Sequence, residues 1–126
     1  MAVIKKMGIF SKNKYYIKLY VNKIEIKDLT NGRTIIENSQ TEFNNKRLLI
    51  AEFQKAEKFV KSVFKNNNLN TRNSIGIVQQ REMVDGGLSE VEKRVLIELF
   101  ERAGIKKLYI DNSISELTEK QLIEYK

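Results

Sequence analysis

From residue 15 the chain alternates. Tyr15, Ile17, Leu19 and Val21 fall on one side and Tyr16, Lys18 and Tyr20 on the other, a period of two rich in aromatic and β-branched residues that predicts a strand. After Asn22-Lys23, Ile24 and Ile26 alternate with Glu25 and Lys27, and Asn31-Gly32 offers the positive φ of a tight hairpin into a third strand, Arg33 to Glu37. Past a polar stretch from Asn38 to Asn45 the period changes. Leu49, Phe53, Ala56, Val60 and Val63 recur at spacings of four, three, four and three, so a helix with one apolar face is expected there. The run Asn66-Asn67-Asn68-Leu69-Asn70 ends it, because Asn tolerates turns and left-handed φ. Ser74 to Val78 then reads as a short buried strand in which Gly76 marks a close backbone approach.

The most strongly specified stretch is GLSEVEKRVLIELFERAGIKKLYI, residues 87–110. Ser89 and Glu92 have the spacing of a capping box, in which a hydroxyl accepts from the amide three residues on and the carboxylate reaches back. Val91, Val95, Leu99 and Ala103, with Leu96 and Phe100 beside them, make the expected buried stripe, and Gly104 stands where a left-handed cap closes a helix. Lys107 to Ile110 is the next strand, and Thr118 with Gln121 caps a last helix running to Tyr125.

The element order is therefore β-β-β-α-β-α-β-α. It predicts an α/β domain, a five-stranded mixed sheet covered by helices. The 126-residue length suits one such domain. The expected division is a basic N-terminal segment, residues 1–14, ahead of a single domain, residues 15–126.

Charge and chemistry change this picture in a few places. Six of the seven net positive charges come from Lys5, Lys6, Lys12, Lys14, Lys18 and Lys23, which share residues 1–23 with no acid. With Ile9 and Phe10 among them, Lys5, Lys6, Lys12 and Lys14 are the candidate contacts to anionic lipid or another anion. The opposite reading is a solvated terminus. No apolar run reaches the length that crosses a bilayer, and the first residues lack the apolar block of a secretory signal. The absence of Cys fits a reducing cytoplasm, with peripheral membrane contact through the basic end.

Without His or Cys the usual nucleophilic triads and nitrogen- or sulfur-ligated metal sites have no members. Asp85-Gly86-Gly87, before the second helix, reads as a turn ahead of an anion site, since Ser89 and Glu92 already satisfy that helix start. Asp111 follows a strand at a place where α/β sheets carry ligands, but a turn or capping role weighs more heavily.

The residues that carry a family resemblance are now in view. LSEVEKRVLIELFERAGIKKLYID, with Glu90-Val91-Glu92-Lys93-Arg94 at its core, is similar to the bacterial actin-like MreB segment in which a helix opened by such residues ends in Ala-Gly before a strand. MGIFSK at residues 7–12 and EFQKAEKFVKSVF at 52–64 resemble the family's start and its first helix. The resemblance implies the first subdomain of the actin-like fold, which shares the ribonuclease-H-like topology. It also implies an Asp-x-Gly-Thr phosphate loop after the first strand, where this chain has Lys18-Leu19-Tyr20-Val21-Asn22-Lys23, and paired glutamates and a proline after the last strand, where it has Asp111-Asn112-Ser113. The family's second lobe, with its further phosphate loop, has no counterpart in these residues. Ribonuclease-H-like nucleases hold Mg²⁺ on an Asp of the first strand, and here that strand reads Tyr15-Tyr16-Ile17-Lys18-Leu19.

The expectation is a noncatalytic interaction module, not an enzyme, with no cofactor. Its partner would be an MreB-type cytoskeletal, cell-shape protein or a second copy in a homodimer. Ile35 and Ile36, on the outer hairpin strand, are the candidate edge-strand interface. The alternative is a nucleic-acid-binding domain, on the strength of the basic balance and of Tyr15, Tyr16 and Tyr20 among lysines. Those rings can stack on bases, though packing on the sheet is their commoner use.

Overall fold

The computed structural model describes residues 13–125. Strands β1 (Asn13–Tyr20), β2 (Lys23–Asp28) and β3 (Thr34–Asn38) precede α1 (Phe53–Asn66) and β4 (Ser74–Gln80), and α2 (Glu90–Arg102), β5 (Lys107–Ile110) and α3 (Glu119–Glu124) complete the chain. The five strands form one mixed sheet in the order β3-β2-β1-β4-β5. The hairpin strands pair antiparallel, while β4 joins β1 and β5 joins β4 in parallel. The expected element order and mixed sheet are both present.

Alternation along β1 divides the core between the two faces of the sheet. Tyr15, Ile17 and Leu19 pack with Ile24, Ile26 and Ile35 against Ala56, Val60, Val63 and Phe64 of α1 and Leu96, Leu99 and Phe100 of α2. Tyr16 and Ile77, on the opposite face, pack with Leu29, Leu117 and Leu122 under the short α3. Gly76 in β4 is where α2's exit presses on the sheet. A Cβ there would lie 3.0 Å from Leu108 Cδ2 and 3.3 Å from Ile105 side-chain atoms, the close approach expected of a strand glycine.

Helix ends follow local chemistry. Both capping boxes form, Ser89 with Glu92 and Thr118 with Gln121. At the end of α2, Gly104 (φ +110) donates to Glu101 O at 2.9 Å and Ile105 to Phe100 O at 3.1 Å, the paired bonds of a Schellman motif. The end of α1 repeats the arrangement with Asn68 (φ +56) in the glycine's place, Leu69 donating to Phe64 O at 2.9 Å.

Several expectations need correcting. Leu49 is buried but lies ahead of α1, in a loop folded back so that the amides of Ala51 and Glu52 donate to Phe43 O. Its spacing from Phe53 imitates a helical repeat. Val91 is 71% exposed, because at 3.6 residues per turn it stands well off the stripe centred on Leu96, Leu99 and Phe100. The first strand begins at Asn13, so Lys14 belongs to the sheet and not to the segment before it.

Candidate functional site

In a sheet of this order ligands bind where the strand order reverses, at the carboxyl ends of β1 and β4. Three connections meet there: the β1–β2 turn, residues 81–89 after β4, and residues 111–118 after β5. The β1–β2 turn is two residues long, with Asn22 at φ +53. Its Val21 amide donates to Glu82 Oε1 at 2.6 Å, and the Asn22 side chain accepts from the Phe43 amide at 2.8 Å and donates to Asn44 Oδ1 at 2.9 Å. The turn is thus tied on one side to the chain after β4 and on the other to the loop before α1.

The sheet face under α3 carries a chain of polar side chains. Tyr16 donates to Gln79 Oε1 while its oxygen accepts from the Leu117 amide at 3.0 Å. Gln79 Nε2 donates to Asp111 Oδ1 and to Ser115 O, each at 3.1 Å. Asp111 also accepts from the Ser113 amide at 2.9 Å and, through Oδ2, from the Tyr125 hydroxyl at 2.6 Å. Burial alone would raise the Asp111 pKa, but the hydrogen bonds from Tyr125, Ser113 and Gln79 outweigh it and hold the carboxyl below the usual aspartate value. Burial and the bond to Asp111 push the Tyr125 phenol upward.

Beside this chain, Lys18 reaches Glu116 Oε1 at 2.8 Å and Glu25 Oε2 at 3.1 Å, with only 9% of its side chain exposed. Burial would lower its pKa; the hydrogen bonds it donates to Glu116 and Glu25 prevail and raise it. Among the described residues, every buried side-chain nitrogen and oxygen has a hydrogen-bond partner. No three His, Cys, Asp or Glu side chains stand together as metal ligands among them. The network therefore holds the 111–118 connection and α3 onto the sheet.

A cleft of about 460 Å³ opens above the ends of β4 and β5, lined in part by Arg81, Asp85, Gly86, Gly87 and Asp111. Gly86 and Gly87 take left-handed φ in an open turn with no atom near where a Cβ would sit. Arg81 donates to Ile114 O at 3.0 Å, and Asp111 is committed to the network. Both acidic positions singled out in the sequence thus face one cleft, and Asp111 has the turn role expected of it.

The other candidates lie elsewhere. Lys5, Lys6, Ile9, Phe10 and Lys12 fall outside the described residues. Lys14, the remaining member of that set, donates from Nζ to Leu122 O at 2.7 Å and so fastens α3 to β1. Ile35 is buried in the core while Ile36 is 59% exposed on β3, which among the described residues pairs only with β2 and forms one border of the sheet. Tyr15 and Tyr16 are buried, which removes their rings as platforms for bases, and the Tyr20 ring lies under Lys23 Nζ at 4.4 Å from its centroid. Sequence reasoning missed Glu82 and Glu116, whose partners lie 61 and 98 residues away; no local pattern marks such pairs.

Among the described residues no helix is long and apolar enough to cross a membrane. No protein-family model matches the chain. The fold is similar to the crystal structure of MreB5 of Spiroplasma citri bound to ADP, with a TM-score of 0.60 and 13% identity over 82% of this chain and 39% of that one. At that identity the likeness is one of fold, an actin-like, ribonuclease-H-like subdomain. In sequence the chain is 33% identical over 100 residues to the uncharacterized protein YjaA of Escherichia coli strain K12, a match spanning 73% of this chain and 77% of that protein. With that extent of shared sequence, the chain belongs to the YjaA family.

Proposed function

We propose that the chain is a noncatalytic protein-interaction module built on the actin-like fold, with strand β3 as its docking element. The observation that carries this reading is the border of the sheet: among the described residues β3 is hydrogen-bonded on one side only, and it presents Ile36 to solvent. Unpaired strand edges are templates for another strand, and natural proteins usually blunt them with charge, proline or cover. Here the strand is Thr-Ile-Ile-Glu-Asn, with one acid, no proline and, among the described residues, no strand paired to its outer side.

The geometry of the β1–β2 turn speaks against a nucleotide role. MreB5 binds ADP, but in this chain the Val21 amide is already taken by the Glu82 carboxylate, a negative charge where a phosphate would have to approach. The partner is a cytoskeletal or cell-shape protein of the actin-like kind, or a second copy of this chain. The nucleic-acid alternative loses support with the burial of Tyr15 and Tyr16.

Affinity recovery from source cells with the intact chain and with Ile36→Pro, together with sedimentation equilibrium, tests the interaction. A partner or self-association lost on Ile36→Pro is expected. A monomer at the highest concentration, with no partner recovered, contradicts the reading.

A further inference from the structure

The register of the hairpin decides which backbone groups β3 offers. The Asp28 amide donates to Arg33 O and the Ser39 amide to Asn22 O, so the hydrogen-bonded pairs with β2 fall at 33, 35, 37 and 39. The amides and carbonyls of Thr34, Ile36 and Asn38 therefore point outward along the free edge. A groove of about 490 Å³ runs beside the end of this edge, between residues 37–41 and the Lys55, Lys58, Phe59 and Ser62 side of α1.

That groove is charged. The exposed surface of α1 carries Lys55, Lys58, Lys61 and Lys65 against a single acid, Glu57. Lys61 pairs with Glu57 at 2.9 Å, whereas Lys55, Lys58 and Lys65 have no ion pair among the described residues. Glu37, the acid on the groove's other wall, is held by Asn67 Nδ2 at 2.7 Å.

We propose that the β3 edge takes an acidic extended segment of another protein, added as a further strand with alternate carboxylates lying over Lys55 and Lys58. The inference rests on the interaction reading above and adds the chemistry of the partner. Main-chain bonds to Thr34, Ile36 and Asn38 supply affinity, and the lysines supply selection by charge. A second copy fits this edge poorly. Antiparallel pairing of β3 with its own copy has a two-fold axis perpendicular to the sheet, which puts both α1 helices on one side of the joint. The two lysine rows would then face each other, and like charges across an interface oppose association.

The test uses the full chain and two fluorescent peptides of about eight residues, long enough for one strand. One alternates valine with glutamate and the other valine with lysine. Binding is measured to the unaltered chain, to Lys55→Glu/Lys58→Glu and to Ile36→Pro, each first checked for an unchanged urea midpoint. Both variants alter solvent-facing groups, and an edge position whose amide points outward accepts proline. The acidic peptide is expected to bind saturably, to weaken at least about tenfold in each variant and to weaken with added salt, while the basic peptide does not bind. Equal binding of the two peptides, no saturable binding of the acidic one, or binding that Ile36→Pro leaves unchanged would overturn the inference. If the acidic peptide fails to bind but the chain dimerises in a manner abolished by Ile36→Pro, the partner chemistry is wrong and the interaction reading stands. A stable monomer that binds neither peptide and recovers no partner removes both.

Discussion

The carboxylate of Glu82 accepts the backbone amide of Val21 at 2.6 Å, joining the turn after β1 to the connection after β4 across 61 residues of chain. This bond ties the two connections together at the switch point of the sheet, where α/β proteins admit ligands. Glu82 is exposed, so the bond competes with water, and Glu82→Ala is expected to cost about 1 kcal/mol in urea unfolding. A loss well above that would mean the turn depends on the carboxylate for more than this one amide.

Tyr16 stands at the head of the buried polar chain, and Tyr16→Phe leaves both the Leu117 amide and Gln79 short of a partner. Orphaned buried groups of this kind cost about 1–3 kcal/mol each, so a large fall in the urea midpoint is expected. Tyr20→Phe is the control. Its hydroxyl makes no bond to another described residue, and its midpoint should stay within about 0.5 kcal/mol of the unaltered chain.

The held-down carboxyl of Asp111 fixes the sign of one pH effect. Its folded pKa lies below the ordinary 3.8, so the folded state binds its proton less readily than the unfolded chain does. The stabilisation is complete above the unfolded value and is lost as pH falls from about 4 through the lower folded value. Asp111→Asn is expected to lower stability at neutral pH and to flatten the acid limb of a stability–pH profile. An acid limb as steep as that of the unaltered chain would contradict the assignment.

What was legible in the sequence was what is local. The alternation of Tyr15 to Tyr20, the two capping boxes and the glycine after α2 each depend on residues within a few positions, and each appears as expected, while Val21 falls in the turn after the strand. The mixed sheet followed from their order. What was hidden depends on distant partners. Lys18 read as one more charge of a basic terminus, yet it is a nearly buried cation between Glu25 and Glu116, because only the folded sheet brings the 111–118 connection over β1. Leu49 read as helical because a loop folded onto Phe43 returns it to the core at a helix-like spacing. At the candidate site, Asp111 was visible as a turn residue, while Glu82, which ties the β1–β2 turn to the chain after β4, carries no local mark.

The noncatalytic reading is tested most directly by titration calorimetry of the full chain with Mg-ATP. With the Val21 amide occupied by Glu82 and the polar face of the sheet satisfied by its own side chains, no saturable heat is expected across the micromolar range. Saturable micromolar binding would contradict it.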